Sequence, residues 1–330
     1  MELFRQMLSI DSTSGREREM GEWLAAKLKA PSVETFEVGD GTIDVLLRWG
    51  DEPRVVFCSH MDTVPPYIPP TFLPDRVCGR GACDAKGQVY AMYRACERLA
   101  AAGRTDFALL ILSGEETGSW GAKAFARTAF RAPLLVVGEP TDNRQVSASK
   151  GTKSFDLRFI GKPFHSGYPE HGRSAVDLFV DFMDALRAAD FPEDPELGPT
   201  TWNVGLLHSD NPQNILSPEL CCRIYFRTTF ASDAAVVAWM RAQACDTLAL
   251  AERGGDAPAR YFTLPGFPAG TVAFGSDAPH LTNFGRKIIC GPGSITVAHR
   301  DEEHILLSDL EQAITNYVSI FESFNCTGKP

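Results

Sequence analysis

Apolar residues recur along this chain in two different rhythms, and the change between them divides it. In the first stretch the runs are continuous. RVVFCS at 54–59, FALLILS at 107–113 and PLLVVG at 133–138 carry almost no polar interruption. Strands covered on both faces read this way, because neither side of the pleat meets water. Further strands are expected near 33–37 and 43–49. Between the runs helical spacing takes over. Met20, Trp23, Leu24 and Leu28 form one stripe, with Ser12 or Ser14 as its N-cap, and Val89, Met92, Tyr93, Cys96 and Leu99 form another over 86–102. A short helix is expected over 120–126. The segment TVPPYIPPTFLPD at 63–75 is too rich in proline for helix. Alternation of buried strands and helices predicts an α/β fold, a mixed sheet with helices on both faces.

Near residue 150 the rhythm shifts to period two. KSFDLRFIG alternates apolar and polar positions, as a half-exposed strand does. A helix over 174–188 follows, then strands in TWNVGLLH and ELCCRIYFRTTF, a helix over 232–249 and a last strand in ARYFTL. This β-α-β-β-α-β order predicts a small α+β domain inserted into the first. In the second of these strands the neighbours Cys221 and Cys222 should face opposite ways. After about residue 265 the first rhythm returns, with a strand in RKIIC, a turn in GPGS and a terminal helix over 308–324. The expected organisation is a discontinuous domain of residues 1–150 and 263–330, interrupted by a domain of residues 151–262.

Composition narrows the class. The chain has 330 residues, 44% hydrophobic and 22% charged, which suits two globular domains with full cores. A net charge of -10 without a Lys/Arg run argues against nucleic acid or an anionic membrane as partner. No apolar stretch approaches the ~20 residues of a membrane span. MELFRQMLSIDSTSG lacks the basic start and apolar core of a secretion signal. The nine cysteines show no CxxC spacing. Reduced thiols in a cytoplasmic protein are expected.

Candidate chemistry clusters where apolar runs end. His60 follows RVVFCS, Glu115 and Glu116 follow FALLILSG, and Glu139 follows PLLVVG. Open α/β sheets gather ligands at the carboxyl ends of their strands, so these groups can converge without any local motif. Asp62 lies two residues beyond His60 and faces the same way in an extended segment, where it can fix the imidazole tautomer. Asp84 sits in GRGACDAKGQ. It reads either as the cap of the helix starting near Lys86 or as a carboxylate whose two oxygens serve two cations. Glu115 and Glu116 repel each other unless a cation or proton is shared, and one of them can bind metal while the other takes a proton from water. His299 follows GPGSITVA, and His304 competes with it for a ligand role. Taken singly, each group has an ordinary structural reading. Taken together they point to a pair of divalent cations that activates water for hydrolysis.

In order along the chain, SHMDTVPP, GRGACDAKG, SGEETGSWGA, VGEPT and GPGSITVAHRDEE resemble the co-catalytic zinc peptidase and deacylase family, which includes acetylornithine deacetylase, succinyl-diaminopimelate desuccinylase, carboxypeptidase G and several di- and tripeptidases. The motifs span nearly the whole chain. The resemblance implies two Zn2+ ions, with Co2+ as a substitute. His60, Asp84 and Glu139 would hold one, and Asp84, Glu116 and His299 the other, with Asp84 bridging. It implies Glu115 as general base and Asp62 as the acid that orients His60. His299 rather than His304 matches, because the family's ligand precedes an acid four positions on, here Glu303. The inserted domain would be the family's lid and dimerisation domain, making a homodimer an implied partner. His165 in that domain would polarise the scissile carbonyl, and Asn214 and Arg227 would contact substrate. Gly291, Gly293 and Ser294 resemble the turn that lines the substrate pocket of the acetylornithine deacetylase branch.

The chain departs from the family in two places. FTLPGFPAGTVAFGS at 262–276 leaves little room for a core helix usual before SDAPHL, and Ser174 stands where Asn is frequent. The leading expectation is hydrolysis of an N-acyl amino acid, as in N-acetylornithine deacetylation and arginine biosynthesis. Succinyl-diaminopimelate desuccinylation, di- or tripeptide hydrolysis and a non-catalytic metal-binding role are the alternatives. Arg173, Arg227 and Lys150 suit a substrate carboxylate and equally suit a solvated surface.

Overall fold

The computed structural model of the chain describes residues 1–39 and 41–327, with side chains through residue 325. The chain folds as two compact units, one of Met1–Ser147, Tyr261–Gly270 and Ser276–Pro330, the other of Ala148–Arg260 and Thr271–Gly275.

The first unit is built on a six-stranded mixed sheet. Its spatial order is Ser32–Gly39, Thr42–Arg48, Phe107–Leu112, Val55–His60, Ala132–Val137 and Phe284–Ile289. The continuous apolar runs occupy the middle, where every residue of Val55–His60 and of Phe107–Leu112 is buried. These two strands, Ala132–Val137 and Phe284–Ile289 pair in parallel, and the first two strands of the order add antiparallel pairs at one edge. The edge strand Ser32–Gly39 alternates half-buried and exposed positions, as one wet face requires. Helices Lys86–Ala101 and Leu307–Thr327 pack over the face carrying Phe57, Leu109 and Val136, with the rings of Phe57 and Tyr317 in edge contact. Phe125 of the short helix Trp120–Phe125 meets Phe36 and Phe284 from the other side. Phe57, Leu109 and Val136 are fully buried, and truncating Phe57 or Leu109 to alanine costs about 2–5 kcal/mol.

From Val55–His60 the chain runs through helix Lys86–Ala101 to the neighbour on one side, Phe107–Leu112. It then crosses through Trp120–Phe125 to the neighbour on the other, Ala132–Val137. The connections diverge beyond the carboxyl end of the central strand, and a crevice opens there. His60 ends that strand, Glu115 follows Leu112 by three residues, and Glu139 follows Val137 by two.

The N-terminus differs from the periodicity. Two helices form, Glu2–Leu8 and Arg18–Lys27, and the second begins without a side-chain cap. Ser12 and Ser14 are engaged elsewhere. The Ser12 hydroxyl donates to the Met61 carbonyl and that of Ser14 to Asp62.

The second unit is a four-stranded antiparallel sheet ordered Thr201–His208, Glu219–Thr228, Gly151–Ile160 and Leu248–Gly254. Helices Ala175–Ala188 and Asp233–Ala242 cover one face, where Phe155, Leu157, Phe159, Ile224 and Phe226 meet Phe182, Val236 and Met240. Cys222 is buried in this core and Cys221 half-exposed opposite it. The spacing Val236, Met240, Ala244, Leu248 extends a helical pattern to 249, but the helix ends at Ala242. Leu248 and Leu250 instead register against Phe159 and Leu157 of the central strand, so LALAERG supplies the fourth strand expected from ARYFTL. Burial against a waiting sheet edge outweighs local helical propensity. Every cysteine with a described side chain is a free thiol. No helix among the described residues is long and apolar enough to cross a membrane.

Candidate metal centre

Four loops and one strand end carry the acids and imidazoles of the first unit's candidate site. Asp84 is the hub. Its Oδ1 lies 3.1 Å from His60 Nε2, and its Oδ2 lies 3.3 Å from His299 Nε2. His299 Nε2 also lies 2.9 Å from Glu116 Oε1. One donor atom each from His60, Asp84 and Glu116 can be chosen within 4.8 Å of one another. Two donors about 2.0–2.1 Å from one tetrahedral ion sit about 3.3 Å apart, so these separations are the ones a shared cation needs. The Asp84 carboxylate does not cap the following helix, whose first residue has no side-chain cap. Glu139 is buried and its Oε1 has no hydrogen-bond partner. A buried carboxylate oxygen left alone is costly unless a cation completes it. His304 turns its Nδ1 to the Glu302 carbonyl at 2.8 Å and pairs with Cys78 in a short antiparallel ladder, so His299 alone of the two reaches the cluster.

Asp62 organises the other side. Its Oδ1 lies 3.3 Å from His60 Nδ1, which also meets the Asp62 carbonyl at 3.1 Å. The same carboxylate accepts the Glu115 amide at 3.0 Å, the Glu116 amide at 3.1 Å and the Ser14 hydroxyl at 2.8 Å. It therefore fixes the His60 ring and the Glu115–Glu116 backbone together. Gly114, at φ +68°, opens the turn that presents both glutamates. His299 itself has φ +61°. A non-glycine residue held there costs on the order of 1–3 kcal/mol and persists where its surroundings over-determine it.

Packed acids in little water shift one another. Burial pushes the Glu115 and Glu139 carboxyls well above the ordinary range, and their acidic neighbours add to it although His60 opposes. Burial also raises Glu116, against the hydrogen bond from His299. Burial opposes charge on His60, but hydrogen bonds to Asp62 and Asp84 outweigh it and hold the imidazole well above its usual value. Contacts with Asp84 and then Glu116 raise His299 to about 10. Burial opposes ionisation of Asp84, and its two imidazole partners nevertheless hold it well below the usual carboxylate range.

Without metal these site groups thus bind more protons in the folded chain than in the unfolded one, the carboxyls from the ordinary carboxylate range upward and His299 up to about 10. Their contribution to the stability of the metal-free protein therefore falls as pH rises, since ∂ΔG/∂pH follows the excess of protons bound by the unfolded state. Cations that fill the site displace those protons. Metal-free protein should melt at progressively lower temperature from pH 5.5 to 9, and divalent metal should restore most at the alkaline end. Thermal melts with and without chelator across this range check it, and a metal-free melting temperature that rises with pH contradicts it.

Residues 56–323 match the model of peptidase family M20/M25/M40. The chain belongs to that family. It is 31% identical to a peptidase M20 domain-containing protein of Schizosaccharomyces pombe, over 96% of this chain and 82% of that one. It is also 31% identical to a probable carboxypeptidase of Emericella nidulans, over 96% and 87%. Among solved structures, a tripeptidase from Staphylococcus aureus superposes with a TM-score of 0.81 at 18% identity, covering 97% of this chain and 96% of that one. An M20 family metallo-carboxypeptidase from Sulfolobus solfataricus superposes at 0.71 and 16% identity, covering 98% and 99%. The likeness to these structures is one of fold, an α/β architecture with a second domain. Membership makes the chain a hydrolase of amide or peptide bonds.

The other candidate residues of this M20 chain lie in the turn at 291–294 and in the second unit. Gly291 and Gly293 are buried. A Cβ on Gly291 would lie 2.1 Å from Gln88 Oε1 and 2.6 Å from the Glu139 carbonyl, and one on Gly293 would lie 2.6 Å from Cys83 Sγ. Neither position has room for a side chain, and the backbone of the turn packs closely against Gln88, Glu139 and Cys83. Only Ser294 of this turn is partly open, with its hydroxyl 3.4 Å from Asp142. In the second unit His165 and Asn214 are neighbours. Ser166 donates its amide to the Asn214 carbonyl at 2.9 Å, and the exposed His165 accepts the Gly167 amide on Nδ1 at 3.0 Å. Arg227 stacks on Tyr225 near the far end of strand Glu219–Thr228, which begins just after the Asn214 loop. Arg227 stands eight positions beyond Glu219, about 26 Å along an extended strand. Sequence reasoning misses Arg80, which is fully buried although charged, and uses Glu303 only as a marker. The unusual density of small residues around Arg80 in CGRGAC is the one signal that this arginine lies in a close-packed place.

Proposed function

We propose that the chain hydrolyses the amide bond of an N-acyl amino acid or the last peptide bond of a short peptide, using two divalent cations. The observation that carries this reading is the Asp84 carboxylate, which offers one oxygen to the His60 side and the other to the His299 side. His60 and Glu139 would complete one position, and Glu116 and His299 the other, with zinc the metal suited to this nitrogen and oxygen set. Bound there, such ions supply Lewis acidity toward a carbonyl oxygen and lower the pKa of water.

The protein groups do the rest. Asp62 holds His60 by its Nδ1 and leaves Nε2 to face Asp84. Glu115 takes the proton from the attacking water and passes it to the leaving nitrogen. His165 donates to the developing oxyanion, a contact worth about 10²–10³ in rate. Asn214 and Ser294 are proposed as substrate contacts. Arg227 would join from a second copy. That role goes with a homodimer through the inserted domain, whose edge strand exposes Leu206 at 71% and Leu207 at 55%.

The two substrate types share an acyl–NH–CHR–carboxylate core. The carboxypeptidase naming of relatives at 30–31% identity supports release of a residue bearing a free carboxylate. N-acetylornithine and succinyl-diaminopimelate are particular members of the class that this support does not single out. A panel of N-acetyl and N-succinyl amino acids, dipeptides and tripeptides, each with free or amidated C-terminus, tests the reading under added Zn2+ or Co2+. Free-acid substrates should be cleaved at least about tenfold faster than their amides, the loss expected when a charge-assisted contact is removed. Equal cleavage of the amides, or no cleavage of any member, contradicts it.

A further inference from the structure

We infer that Glu303, which touches neither substrate nor metal, is the residue that positions the bridging carboxylate and thereby sets metal affinity. The inference rests on the metal reading of the site given above.

Glu303 is completely buried, and both of its carboxylate oxygens are engaged. Oε1 accepts the backbone amides of Cys83 at 3.0 Å and of Asp84 at 3.1 Å. Oε2 accepts Arg80 Nη1 at 2.6 Å. The Glu303 carbonyl accepts the Gly79 amide at 2.9 Å, and the next residue, His304, pairs with Cys78 at the start of the same loop. The loop from Cys78 to Asp84 is therefore wrapped around one side chain. Arg80, 2% exposed, closes the wrap by donating to the carbonyls of Arg300 and Pro66.

The consequence concerns Asp84. Its two oxygens address His60 and His299 only if its backbone is fixed, and Glu303 holds that backbone by the amide. Four residues upstream on the same segment, His299 meets Asp84 Oδ2. One short stretch, 299–303, thus fixes two ligand groups relative to each other, one by its imidazole and one through a backbone clamp. This gives a physical reason for the spacing of a histidine followed four positions on by an acid. A buried ion pair contributes little net stability by itself and is better explained by the geometry it enforces. Groups that orient metal ligands from behind are worth about 10–100-fold in metal affinity.

The test separates reach from charge. Metal-free wild type, E303A, E303Q and E303D are titrated with Zn2+ and Co2+ by chelator competition, and the visible spectrum of the Co2+ form is recorded. E303A should bind metal about 10–100-fold more weakly, with an altered Co2+ spectrum. E303Q restores an oxygen for the Cys83 and Asp84 amides while losing the charge facing Arg80, and it should recover most of the affinity. E303D keeps the charge but falls short of the amides by one methylene, about 1.5 Å, and should bind more weakly than E303Q. This E303D–E303Q comparison decides the matter if E303A does not fold. A role in stability alone would lower melting temperatures and leave metal affinity and spectrum unchanged. Wild-type affinity in E303A or E303D, or an affinity of E303D at or above that of E303Q, overturns the inference. Wild type that binds no divalent ion overturns the metal reading beneath it.

Discussion

Glu115→Gln should fold normally, carry its full complement of metal and turn over about 10²–10⁴-fold more slowly than wild type, the range for loss of a general base. The substitution leaves the Asp62 contact in place, because Asp62 Oδ1 holds the backbone amide of residue 115 and not its side chain. Glu116 and His299 keep their mutual contact as well. The effect should therefore fall on kcat, with KM and metal content little changed, since the lost proton transfer belongs to the transition state. Steady-state kinetics with metal analysis of the same sample reads all three. Turnover within a few-fold of wild type would remove Glu115 from the proton-transfer role and move attention to Asp277, which burial raises to about 6 and which lies in the same electrostatic neighbourhood.

Asp84→Asn should have the larger effect. The carboxamide offers one oxygen where two are needed, and its nitrogen faces an imidazole in place of the second. Metal content should fall by at least one ion per chain. Activity should fall beyond the loss in Glu115→Gln, more than about 10⁴-fold, because the same change forfeits both the activated water and the base that acts on it. His60, 1% exposed, would also lose a buried partner. Elemental analysis of protein dialysed against limiting zinc, followed by kcat/KM on the same sample, checks this. An Asp84→Asn enzyme that retains two ions per chain would show that the bridging role belongs to another group.

Much of this architecture was legible because burial writes itself into the sequence. VVFCSH, FALLIL and LLVV could not be partly wet strands, and an α/β sheet covered by helices on both faces followed from them. The candidate ligands were legible for the related reason that sheet topology places strand ends together. What was not legible depended on contacts distant in the chain. Leu248 and Leu250 continue a helical spacing, and only the free edge of Gly151–Ile160 turns them into a strand. Ser12 and Ser14 look like caps, and only the carbonyl of Met61 and the carboxylate of Asp62 show their use. Why glycine stands at 291 and 293 is visible only from Gln88, Glu139 and Cys83, which leave no room for a Cβ there. Arg80 and Glu303 are 223 positions apart. No local pattern could pair them.

The most direct test is diffraction from crystals of the zinc-loaded protein, with anomalous data collected on both sides of the zinc absorption edge. Two peaks should appear, about 3.5–4 Å apart, each touching a different oxygen of Asp84, one beside His60 and Glu139 and the other beside Glu116 and His299. A single peak, or peaks that leave Asp84 untouched, would contradict the account.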